Sequence, residues 1–142
     1  MVTFADLPPA LVQRVRKLDF DVLVLHPLEF HSPARDRGYI AYCHPSPWEP
    51  AERGEVVVSS STDPSWVPAA LAHEIGHAEQ WREHGVLWWN AQFRDPVLHF
   101  QCEMDAVERG RKLLPGPDMD DNYWGNYLGY MDRLGLAEMG RS

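Results

Sequence analysis

Long apolar runs are missing from this sequence. The longest candidate, Phe20-Asp21-Val22-Leu23-Val24-Leu25, is short and interrupted by an acid, whereas a membrane-spanning helix needs about 18 or more apolar residues. Cysteine is scarce too. Cys43 and Cys102 are the only two, too few for the disulfide framework of a small secreted domain, so both are expected as reduced thiols. Basic residues are outnumbered, 13 Lys and Arg against 21 Asp and Glu, for a formal charge of −8. That balance argues against DNA or RNA as the main partner, because phosphate binding needs a basic face. It disfavours a hold on anionic lipid for the same reason. Residues 1–6 carry neither the basic nor the apolar segment of a signal peptide,. These absences lead to the expectation of a cytoplasmic protein with no membrane and no nucleic-acid partner.

What is there is one domain's worth of chain: 142 residues, 44% hydrophobic and 24% charged, ordinary values for a globular domain. No internal repeat or low-complexity tract divides it, so a single domain over 1–142 is expected. Against that background, 7 His and 6 Trp stand out.

Hydrophobic spacing predicts a first helix over residues 7–18, with Asp6 as its cap, prolines in its first turn, and Leu11, Val15 and Leu18 at helical intervals,. Three β-rich runs follow, at 20–26, 38–43 and 55–60, separated by Pro-rich loops around 27–37 and 44–54,. A helix is then expected from about 66 to about 84, with Pro68 in its first turn, where a missing N–H costs nothing. Asp95-Pro96 opens another helix that stops at 113–117, and Asp120 and Asp121 introduce a last one through about residue 134,. Helix, three strands, three helices make an α+β domain with a small three-stranded sheet.

The decisive stretch is Ala70-Leu71-Ala72-His73-Glu74-Ile75-Gly76-His77-Ala78. On a helix, residues four apart lie one above the other, so His73 and His77 can aim two imidazoles at one Zn2+. Glu74 lies about 100° further round the helix, able to reach a water on the ion without binding the ion itself. With this composition the bare pattern arises by chance in roughly one chain in fifty, and the uncharged residues flanking it narrow that further. The competing reading, two core histidines beside a solvated Glu, is the weaker one.

A catalytic zinc takes three protein ligands and a water. On the helix after Asp95, residues Gln101, Asp105, Glu108, Arg109 and Lys112 form a wet side, while Glu103 falls in line with Ala106, Gly110 and the Leu113-Leu114 pair. A carboxylate on an apolar face is costly unless neutralised, and a divalent cation neutralises it. Glu103 is therefore the expected third ligand, and small Ala106 and Gly110 would let its helix approach the histidine helix. Asp105 reads as a solvated charge. Two rivals stay open. His84 would serve only after a chain reversal at Gly85, and Cys43 would give a His2Cys set similar to peptide deformylases, whose other motifs the chain lacks. Cys102 reads as a small buried hydrophobe.

With these residues in view, the chain resembles a small zincin of the gluzincin type, in particular the minigluzincins and the metallopeptidase domain of ImmA/IrrE-type proteins. The segment from Glu103-Met104-Asp105-Ala106 through Leu113-Leu114-Pro115 resembles their Glu-x-x-Ala and Leu-Leu-x-Pro pattern. His73-Glu74-Ile75-Gly76-His77-Ala78-Glu79-Gln80 is similar to the active helix of certain membrane-bound zinc peptidases. The likeness covers residues 55–115 by motif and the remainder by element order. It implies a zincin-like fold with an active-site helix followed by a glutamate helix. It also implies one zinc ion on His73, His77 and Glu103, and a metallopeptidase that hydrolyses peptide bonds with Glu74 as general base. The substrate would be a peptide or protein, added as a strand to a sheet edge, for which residues 55–60 are the expected site. Two positions depart from the pattern: Glu79 stands where zincin helices carry an apolar residue, and Val107 where several gluzincins place an Asp that supports a ligating histidine.

For the oxyanion of the tetrahedral intermediate, His99, Tyr123, Tyr127 and Tyr130 are candidates, although the tyrosines also fit a core stripe. Trp88, Trp89 and Phe93 are candidates for a side-chain pocket. The alternatives to a general peptidase are a regulatory zincin-like protein with one dedicated target, and an interaction domain with a structural zinc, which would show a fourth protein ligand such as His84 or His99.

Overall fold

The computed structural model describes residues 1–45, 53–116 and 124–133. Its sheet is built from β1 (Phe20–Leu25), β2 (Ala41–His44) and β3 (Gly54–Ser59) in the order β1-β3-β2. β1 runs parallel to β3, with Val22 opposite Val56, and β2 runs antiparallel to it, with Cys43 opposite Val56. The run Val56-Val57-Val58 is fully buried because its strand is central and both of its faces are covered, the situation that favours unbroken β-branched sequence. Period-two alternation sorts the side chains. Phe20, Val22, Ala41, Val56 and Val58 join the main core, while Leu23, Leu25, Tyr42 and Val57 face a smaller cluster closed by Phe30 and Ala34.

Five helices accompany the sheet among the described residues: α1 (Pro9–Lys17), α2 (Ser32–Asp36), α3 (Val67–Ala91), α4 (Pro96–Leu113) and α5 (Gly125–Arg133). The domain is therefore α+β with a small mixed sheet, and no described helix is long and apolar enough to cross a membrane. α1 buries Leu11, Val12 and Val15 at the expected helical spacing. Its cap differs from expectation. Asp6 instead accepts from the Thr3 backbone N–H at 2.7 Å and closes a separate turn of 3-10 helix, Phe4–Asp6. α2 was not foreseen. It arises inside the first Pro-rich loop, where Pro33 occupies a helix first turn and Ala34 seals the second cluster. The second Pro-rich loop falls largely on residues 46–52, outside the described residues. Asp120 and Asp121, expected to introduce the last helix, are likewise outside them.

The long α3 is two helical pieces joined at Gly85, whose φ of +82° no L side chain adopts without strain,. The expected end near residue 84 matches the first piece; the second, up to Ala91, adds a segment that the sequence pattern left as loop.

α3 and α4 approach closely because the chain places small residues where they cross. A Cβ added to Gly76 would lie 2.7 Å from the Ala106 carbonyl oxygen, and one added to Gly110 would lie 3.1 Å from the backbone of Ala72. Residues 72 and 76 thus face 110 and 106, so Ala106 and Gly110 sit where the two helices come close, as expected of them. Glu79, anomalous on an apolar helix, is explained by the same packing: it pairs with Arg14 of α1 at 2.5 Å and with Arg109 of α4 at 3.5 Å.

Candidate metal centre

His73 and His77 stand one turn apart on the buried face of α3, and the close crossing at Gly76 brings Glu103 of α4 to them. His73 Nε2 lies 2.9 Å from Glu103 Oε2, His77 Nε2 lies 3.2 Å from Glu103 Oε1, and the two imidazole Nε2 atoms are 3.1 Å apart. Side-chain exposure is 2%, 7% and 12% for the three. A tetrahedral ion with bonds of about 2.0–2.1 Å separates its ligands by roughly 3.3–3.4 Å, so these contacts, which use both Glu103 oxygens, fall within a few tenths of an ångström of that spacing. Three lone-pair donors, turned toward one point from two helices, can hold a metal ion, and these three are the cluster of metal-ligating groups found among the described residues.

The electrostatics of the cluster follow from burial and mutual contact. Burial works to raise the Glu103 carboxyl, but His77 and His73 against it hold it well below the usual range. Burial works the other way on His77, and the facing Glu103 nevertheless carries it up to about 9. For His73, burial wins and its pKa falls. Glu74 is pushed up to about 8 by burial, with His77 opposing and Glu103 reinforcing. A bound dication reverses the balance at Glu74, since positive charge nearby favours the carboxylate.

Glu74 stays outside the triangle, yet it lines the same cleft as His73, His77 and Glu103. That cleft has a cavity volume of about 100 Å3. Trp89 and Phe93 wall it, as expected of them. Trp88 does not; its ring stacks on His84 at 4.3 Å. His84 points away from the triangle, 43% exposed and 3.8 Å from Glu83, because the turn at Gly85 does not fold it back. Cys43 borders the cleft beside Glu74, with burial raising its thiol pKa well above the ordinary value, and it is not one of the clustered metal-ligating groups. Neither rival joins the cluster. Cys102 is buried, as a small hydrophobe should be.

No family model, curated protein or solved structure matches this chain. The reading therefore rests on the residues and their arrangement.

His99 also lines the cleft, with its Nε2 3.8 Å from Glu103 Oε1, and it is 5% exposed. Neither of its ring nitrogens has a hydrogen-bond partner among the described residues. Tyr127 packs its ring against His73 at 5.1 Å and borders the cleft. Tyr123 lies outside the described residues, and the Tyr130 side chain does too.

Three features escaped sequence reasoning. Gln80 lies fully buried with its Oε1 2.9 Å from His77 Nδ1. Its position three residues after His77, on the face that carries both histidines, was the available signal. Asp105, assigned to the wet side, is half exposed but receives the Gln80 amide at 2.9 Å and Arg109 at 2.7 Å. Residues 55–60 form the central strand, paired on both sides, so they have no free edge on which a peptide can add. β2, paired on one side only among the described residues, is the strand that borders the cleft.

Proposed function

We propose that the chain is a zinc-dependent metallopeptidase of the gluzincin type, with His73, His77 and Glu103 as ligands of one ion and Glu74 as general base. The observation that carries the reading is the donor cluster, with the two imidazole Nε2 atoms 3.1 Å apart and each facing one oxygen of the Glu103 carboxylate at 2.9 or 3.2 Å, and an ionisable Glu74 beside it in one cleft. Three converging donors among the described residues leave one tetrahedral direction for water, which favours a catalytic ion over a structural one.

A zinc ion held there supplies Lewis-acid polarisation of the scissile carbonyl and acidifies water. Glu74 takes the proton from the attacking water and passes it to the leaving amine. Glu74 is buried in the same cleft, where a dication nearby would hold it as the carboxylate that accepts the proton. His99, buried in the cleft wall with unused ring nitrogens, is the donor placed to receive the negative charge that develops on the carbonyl oxygen. The free edge of β2, beside Ala41 and Cys43, takes the substrate backbone as an added antiparallel strand.

The test is metal analysis together with hydrolysis of a mixed peptide library. Wild type should carry about one zinc per chain and cleave. Glu74→Gln should keep zinc and lose cleavage, and Glu103→Ala should lose zinc. Full metal occupancy in Glu103→Ala would overturn the ligand assignment. Metal uptake without cleavage of any library peptide would favour the reading of a single dedicated target.

A further inference from the structure

We infer that Gln80 is the positioning residue that sets the tautomer of His77, and that Asp105 locks Gln80 in the orientation that does so. The inference deepens the metal-centre reading above and rests on it.

The argument is a count of donors and acceptors. The Gln80 Nε2 lies 2.8 Å from the Cys102 carbonyl oxygen and 2.9 Å from Asp105 Oδ2. Both partners only accept, so the two N–H bonds of the amide must face them. Turning the amide over would set its oxygen against two other oxygens in a fully buried place, where unmatched polar groups are costly. The orientation therefore has one solution, and it aims Oε1 at His77 Nδ1, 2.9 Å away. An oxygen there requires an N–H from the imidazole. His77 must carry a proton on Nδ1, so that Nε2, once free of its own proton, directs its lone pair at the site shared with His73 and Glu103.

This arrangement also accounts for the amide itself. A carboxylate at residue 80 would confront the Cys102 carbonyl and the Asp105 carboxylate, and an Asn would be one methylene short. Val107, at the position where the resemblance places a supporting Asp, is buried and offers no acceptor. The support comes instead from the histidine's own helix, through a neutral group. Asp105 is in turn neutralised by Arg109, which also grips Glu83 with two bonds of 2.8 and 2.7 Å. A neutral partner adds less electron density to the imidazole than a carboxylate does, so a metal at this centre would keep more of its positive charge.

The test uses the full chain, with Zn2+ as probe, in wild type, Gln80→Met and Asp105→Ala. Nitrogen-edited NMR of wild type should show a hydrogen-bonded, slowly exchanging proton on His77 Nδ1, both with and without zinc. Gln80→Met should lose that resonance and bind zinc about a hundred-fold more weakly, and Asp105→Ala about ten-fold more weakly, the range over which such supporting groups act. Should Gln80→Met fail to fold, Asp105→Ala, altered at a half-exposed site, decides alone. Absence of the Nδ1 proton in wild type, or zinc affinity in a folded variant equal to wild type, would overturn the inference. A wild type that shows the proton but takes up no zinc supports the tautomer assignment and refutes the peptidase reading.

Discussion

Replacing Gly76 with Ala tests whether the metal centre depends on the close approach of α3 and α4. Intrinsic preference alone favours the change, since Ala is about 1 kcal/mol better than Gly inside a helix. The structure argues the opposite. The new Cβ would fall 2.7 Å from the Ala106 carbonyl oxygen and 2.9 Å from its Cα, both backbone atoms, where ordinary contact begins at 3.4 Å. The helices would have to part by about 0.7 Å, the shortfall from that contact distance. Overpacking costs typically 1–3 kcal/mol, and an obstacle made of backbone puts this case near about 3. The net expectation is a loss of about 2 kcal/mol, seen as a fall in Tm of roughly 5–10 °C for a chain of this size. Because Glu103 lies one turn from Ala106 on α4, the same movement carries it away from His73 and His77. Zinc should therefore bind more weakly, and the Tm gain on adding zinc should shrink. Adding Ala106→Gly should not rescue the variant, since the clash is with main-chain atoms that glycine retains. Chemical denaturation and zinc titration of the three proteins measure this. A Gly76→Ala protein more stable than wild type with unchanged zinc affinity would refute the packing argument.

Other substitutions separate the remaining contributions. Gly85→Ala should cost about 1–3 kcal/mol in denaturant unfolding, because φ of +82° with ψ of −173° is a region essentially reserved for glycine, and Gly85→Asn should cost about as much. His84→Ala and Cys43→Ser should leave zinc stoichiometry unchanged by metal analysis; loss of the ion in either would return that residue to the ligand set. Arg109→Ala breaks pairs with Glu83, Asp105 and Glu79 at a side chain 20% exposed. Partly exposed pairs are screened, so the loss should be about 1 kcal/mol and should diminish at high salt. His99→Ala should retain zinc and lower kcat more than it changes KM, the pattern of a group that acts in the transition state. An equal change in KM alone would remove it from that role.

The three metal-directed residues were legible because each breaks a local rule. His73 and His77 repeat at a helical interval among apolar neighbours, and Glu103 puts a charge on the dry side of α4. Sheet order was not legible. Residues 55–60 read as a β-run like the other two, and nothing local says that β3 lies in the middle, because strand neighbours are chosen by pairing between distant segments. Asp105 lies on the wet side as read, but its partners were not legible for a related reason: a helix projection marks which side is wet, not which group reaches across from the next helix. Glu79 is the converse case. An acid out of place on an apolar helix becomes ordinary once α1 and α4 bring Arg14 and Arg109 to it.

From sequence alone came what depends on neighbours in the chain: the helical and β periods, the capping prolines, and the spacing that aligns two imidazoles and a glutamate on one helix. Tertiary structure alone decided that β3 is the central strand and that His84 turns away. It also decided that Gln80, held by Asp105 and the Cys102 carbonyl, addresses His77. The physical reason is range. Backbone geometry sets relations over three or four residues, whereas a donor set spanning two helices exists only when Gly76 and Gly110 let their backbones meet.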